Sequence, residues 1–92
     1  MTGSLELPQR LDYEATGTLH KTLSDRRGKP VTVDAGAVTH LGAIALQLLV
    51  SAQTQWRFDD IVFLVTPQSK GFTDGVVALG LAPDFFSEEP SQ

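Results

Sequence analysis

The run VTVDAGAVTHLGAIALQLLVSAQTQW, from Val31 to Trp56, changes its hydrophobic period once and thereby fixes a strand, a sharp exit and a helix in that order. Val31, Thr32 and Val33 read as a strand that stops at Asp34, and Gly36 gives the backbone the freedom that a sharp exit needs. From Gly42 the spacing is helical. Leu41, Ala45, Leu48, Leu49, Ala52 and Trp56 fall at three- and four-residue intervals, with Gln47, Gln53 and Gln55 as a narrow polar margin. A helix this apolar must be covered over most of its circumference. It is expected to lie against a sheet and to face another protein.

The flanking segments supply that sheet. Ser4-Leu5-Glu6-Leu7 alternates as a half-buried strand does, and Pro8 ends it because proline cannot donate to a ladder. Leu11 returns to the core, and Asp12 is placed to cap a helix through about Arg27, with Glu14 suited to its positive end. On that helix Tyr13, Thr16, Leu19, His20 and Leu23 are expected to share one face, Arg26 and Arg27 to complement the negative end, and Gly28 to stop it. Pro30 opens the second strand, and a connection through a helix predicts parallel pairing with the first.

Beyond the apolar helix, Phe58-Asp59-Asp60 reads as a turn, and Ile61 to Val65 as an interior parallel strand covered on both faces. Pro67 ends it. Ser69 is placed to cap a third helix through about Leu79, with Phe72, Val76 and Leu79 or Gly80 facing inward. Phe85 and Phe86 are expected to tuck under the domain. The reading is one α/β domain over residues 1–92, a small, mostly parallel sheet flanked by helices, with its core at about 4–82, a partly mobile tail at 83–92 and no internal repeat.

Composition narrows the function classes. Apolar residues at 41% and charged residues at 20% are ordinary globular values, and the absence of cysteine removes disulfides, thiolate nucleophiles and cysteine metal sites. A formal charge of −4 argues against nucleic acid and anionic lipid as partners. MTGSLELPQ lacks a secretory pattern, and the apolar stretch around Leu41 to Ala52 is too short and interrupted to span a bilayer, so a cytoplasmic protein without membrane insertion is expected.

Residues able to do chemistry are few. Asp34, Thr39 and His40 follow a strand end, where open α/β sheets place ligands, and an imidazole oriented by a carboxylate is a competent base. No nucleophile elbow or oxyanion hole accompanies them, so a turn-capping Asp34 and a surface His40 are the favoured reading. His20 has no ligand at metal spacing. Thr66, Ser69 and Lys70 flank a helix start able to hold an anion, and Arg26, Arg27 and Lys29 form a basic cluster expected to be solvated. No catalytic residue, metal or cofactor is therefore expected.

At the central segment the chain resembles the STAS domain of bacterial anti-anti-sigma factors. That pattern has a strand ending in Asp-Leu-Ser, then a small residue, Val, two variable positions, an aliphatic residue, Asp-Ser-Ser-Gly and an apolar helix. Asp34, Ala35 and Gly36 stand at the first motif, Val38 at the Val, and Leu41 at the aliphatic position. Gly42, Ala43, Ile44 and Ala45 stand at the second motif, followed by Leu46, Leu48 and Leu49. The likeness spans roughly residues 4 to 82, and IVFLVTP with the Ser-opened helix ending Leu79-Gly80-Leu81 continues it. The HLGA form and the closing Trp56 look most like short stand-alone STAS proteins that accompany chemotaxis genes.

The resemblance implies a non-catalytic module binding a histidine kinase, an anti-sigma-like kinase or a chemotaxis component through Thr39, His40, Gly42, Ala43 and Gln47. Ala43 stands where the family carries its phosphorylated Ser, so that switch cannot operate; Thr39 is the nearest hydroxyl and the alternative phosphoacceptor. Rival readings are a regulatory subunit of an ABC lipid-transport ATPase and a small-ligand or nucleotide sensor. Nothing in the pattern sets an oligomeric state.

Overall fold

The computed structural model describes residues 3–86. Along the chain come β1 (Gly3–Glu6), β2 (Arg10–Leu11), α1 (Tyr13–Asp25), β3 (Val31–Ala35), β4 (His40–Leu41), α2 (Ala43–Phe58), β5 (Phe63–Gln68) and α3 (Lys70–Ala78). The main sheet has the order β1-β3-β5, and both pairings are parallel because each strand-to-strand connection travels through a helix. β2 and β4 form a small parallel ribbon in which Arg10 pairs His40 and Leu11 pairs Leu41. The α/β class expected from the sequence is what the chain adopts.

Each helix begins with a different solution to the same problem, the unpaired amides of its first turn. Asp12 accepts from the amide of Ala15 at 3.0 Å, and Ser69 Oγ accepts from the amide of Phe72 at 3.0 Å. Gly42 opens α2 with no side-chain acceptor at all. Three and seven residues after these caps come Ala15 and Leu19, Ala45 and Leu49, and Phe72 and Val76, which turn inward in each case. A geometric repeat of strand and helix, with inward residues at the same offsets from the helix start, is thus present where the letters show none. Equivalent roles are filled by physically suitable residues, not by identical ones.

The core lies on one side of the sheet. Val31, Val33 and Ala35 of the central strand are fully buried, against Ala45, Leu49 and Trp56 of α2, Leu19 and Leu23 of α1, and Phe72 and Val76 of α3. Across the sheet Leu5, Val33 and Val65 form one row, and Ser4, Thr32 and Leu64 form the next. The second row points away from the core. Its flanking members, Ser4 and Leu64, are exposed.

Several details differ from the sequence expectation. Pro67 does not end the last strand, since β5 runs from Phe63 through it to Gln68. β5 is an edge strand, not an interior one, with Leu64 37% exposed and Val62, just before it, 53% exposed, because the strand order puts β3 in the middle. Tyr13 and His20 lie outside the inner face of α1, which Ala15, Leu19 and Leu23 form at four-residue spacing. Gln53 is buried instead of marginal, because its amide donates to the Phe85 carbonyl at 3.3 Å. Leu79 caps α3 and stays 42% exposed. Phe86, within the tail expected at 83–92, docks with its ring 5.7 Å from that of Phe72, while residues 87–92 lie outside the described residues.

Candidate interaction site at the start of the central helix

The loop before α2 is held from both sides. Asp34 Oδ1 accepts from the amide of Gly36 at 2.9 Å and closes the turn that leaves β3. Above it, Ser69 Oγ donates to the Val38 carbonyl, and α3 comes so near that a Cβ on Gly71 would lie 2.7 Å from the same oxygen. Below it, the Gln9 carbonyl accepts from the amides of Thr39 and His40, at 2.7 and 3.1 Å, and from Thr39 Oγ1 at 3.1 Å. The Gly42 amide then donates to the Leu11 carbonyl at 3.1 Å, where a Cβ on Gly42 would sit 2.7 Å from that oxygen. The small residue at 42 therefore serves packing, and the backbone entering α2 has little freedom.

What this rigid corner presents outward is a short strip. Thr39, His40, Ala43 and Gln47 are exposed and Gly42 is half-buried, so the five residues expected at the partner-binding surface do gather around the start of α2. Ile44 is 57% exposed beside them, and Tyr13, at the first position of α1, is 84% exposed. Tyr13, Thr16 and His20 of α1 and Ile44, Gln47 and Leu48 of α2 line an open groove of 550 Å³.

Tyr13, Ile44 and Leu48 are the apolar part of this surface: periodicity placed Tyr13 and Leu48 on inward faces, which the structure corrects to exposed and half-buried, and left Ile44 unassigned. Ile44 lies one residue out of phase with the inward stripe of Ala45, Leu49, Ala52 and Trp56, which turns it about 100° around the helix. Phase, not hydrophobicity, was the available signal. The first turn of α2 carries no acidic residue and no side-chain cap, so its positive end faces the strip uncompensated.

The other candidates are not brought together. Among the described residues no hydrogen bond joins Asp34 to His40; Asp34 serves the turn, and the exposed His40 pairs the exposed Arg10 in the β2–β4 ribbon. No group of three or more His, Cys, Asp or Glu able to hold a metal occurs among the described residues. Lys70 turns along its own helix to Asp74 at 2.8 Å, and that hydrogen bond, aided by the carboxylate charge, raises its pKa above the usual lysine value. Ser69 is engaged at both its donor and its acceptor, so no anion cradle is assembled with Thr66.

In the basic cluster Arg27 and Lys29 are exposed as expected, whereas Arg26 is half-buried. Arg26 donates to the Ser4 carbonyl at 3.1 Å, and Arg27 pairs Asp59 at 3.3 Å. Among the described residues no helix is long and apolar enough to cross a membrane. No family model, curated protein or solved structure matches the chain.

Proposed function

We propose that the chain is a non-catalytic interaction module of bacterial signalling, of STAS type and cytoplasmic, that binds a kinase or a chemotaxis component through the loop and first turns of α2. The observation that carries this reading is the exposed methyl of Ala43 at the head of α2, flanked by the outward Ile44 and Gln47. A partner meets apolar surface there, and no hydroxyl stands at that position to be phosphorylated. Docking at this strip is therefore constitutive.

Thr39 is a poor substitute for the missing serine, since its hydroxyl is engaged with the Gln9 carbonyl. Support also comes from the rigidity of the corner, because a surface already fixed in its bound shape loses little conformational entropy on association. The test is incubation with candidate histidine and serine kinases and ATP, followed by mass spectrometry and a binding assay. Binding without modification is the expected result. Stoichiometric phosphorylation within residues 39–45 that abolishes binding would overturn the ungated reading.

A further inference from the structure

We infer that the open edge of β1, with the groove beside it, takes an extended basic peptide segment of a partner as a fourth strand. Among the described residues β1 ends the sheet, and one side of its backbone has no neighbouring strand there. The amide of Leu7 donates to the Asp34 carbonyl at 2.9 Å, which turns the odd-numbered residues toward β3 and the backbone groups of Ser4 and Glu6 toward the open side. Arg26 bears this out by reaching the Ser4 carbonyl from outside the sheet. It occupies one acceptor and, among the described residues, leaves the Ser4 amide and both backbone groups of Glu6 for a partner.

Beside that edge lies a groove of 680 Å³, floored by Leu5, Leu7 and Leu19 and rimmed by Glu6, Asp12 and Glu14. A strand laid there would pair its backbone with Ser4 and Glu6 and place alternate apolar side chains on the floor. A helix would leave the edge unsatisfied, because its own amides are already bonded.

Charge selects the occupant. Among the described residues none of the three rim carboxylates belongs to an ion pair. Asp12 caps α1 and Glu14 sits in its first turn, so Glu6 carries the freest of these charges, and the rim as a whole presents net negative charge to lysine or arginine at the outward positions of the added strand. A second copy of this chain would bring the same carboxylates against themselves.

The test titrates the full chain with acetylated, amidated pentapeptides of alternating lysine and valine, with hydrogen exchange read at single amides. Saturable binding with new protection at the Ser4 and Glu6 amides is expected. The double variant Glu6→Lys, Glu14→Lys, altered at two exposed positions and checked for an unchanged melt, should bind about tenfold more weakly. Equal binding by a peptide N-methylated at alternate residues would reduce the effect to charge alone and overturn strand addition. Absence of binding at millimolar peptide, or binding without protection at those two amides, overturns it as well. Concentration-dependent protection of the same amides without peptide gives the edge to a second copy, against the proposal.

Discussion

The indole Nε1 of Trp56 donates to the backbone carbonyl of Lys29 at 2.7 Å, and so ties the last turn of α2 to the segment that enters β3. Its ring also lies 5.6 Å from that of Phe63 in β5. Trp56→Phe keeps an aromatic body but removes the only donor that reaches this carbonyl among the described residues. The expected loss is about 1 to 2 kcal/mol of unfolding free energy, with an unchanged denaturant slope. Since Trp56 is the chain's one tryptophan, the melt is followed by circular dichroism.

Two glycines in helices should respond with opposite signs. Gly17 of α1 has nothing within 4 Å of an added Cβ, so Gly17→Ala should stabilise by about 0.5 to 1 kcal/mol through backbone entropy alone. On Gly71 of α3 the same Cβ would lie 2.7 Å from the Val38 carbonyl oxygen, a backbone atom that cannot swing aside. Gly71→Ala should destabilise by about 1 to 3 kcal/mol despite alanine's better helix propensity. Thermal melts of the two variants decide it; a gain at both sites would mean that α3 does not press on the loop.

Leu48 and Leu49 are adjacent in sequence and differ in environment. Leu49 is fully buried, whereas Leu48 is half-buried at the groove between α1 and α2. Leu49→Ala should cost about 2 to 5 kcal/mol, enough to endanger a domain of this size, and Leu48→Ala less than half as much. Urea titration of both variants separates them. Equal losses would show the groove to be closed in solution.

How far the sequence carried the fold follows from what periodicity encodes. The caps Asp12 and Ser69, the inward Leu19, Leu23, Phe72 and Val76, and the parallel pairing of β1 with β3 were all legible, because local spacing and helix-borne crossovers determine them. The edge position of β5 was not. An apolar run such as Ile61 to Val65 is equally compatible with a central strand and with an edge strand that leaves Val62 and Leu64 outside; only the strand order distinguishes them. Gln53 reads as surface because its partner, the Phe85 carbonyl, is 32 residues away. At the candidate site four of the five expected residues are exposed and Gly42 is half-buried against the Leu11 carbonyl, while Tyr13 and Ile44 were hidden by their apolarity, which reads as core.

Lys70 gives a pH-dependent test. Its hydrogen bond to Asp74, and then the carboxylate's charge, raise its pKa in the folded protein above the unfolded lysine value of 10.5. A raised pKa means that the folded state holds the proton more tightly. The stabilisation is complete below that unfolded value and lost as pH climbs through the folded one. Because both side chains are largely exposed, the effect should be small and screened by salt. Asp74→Asn should lower the Lys70 pKa seen by NMR at its side-chain nitrogen; an unchanged titration would mean that the pair is not formed in solution.

Ala43→Glu tests the docking surface most directly, because stability and binding should move in different directions. Position 43 is exposed and is the first residue of α2, whose opening turn contains no acidic side chain. A carboxylate there meets the positive end of the helix and should leave the fold unharmed or stabilise it by about 0.3 to 1 kcal/mol. The same carboxylate in an apolar contact with a partner must be desolvated without a counter-charge, which should weaken association by about tenfold or more. Melting and isothermal titration are read on one preparation. A higher melt with lost binding fits a partner seated over Ala43, whereas a higher melt with unchanged binding moves the partner off this strip. Loss of the cooperative melt would instead mean that position 43 is enclosed in solution.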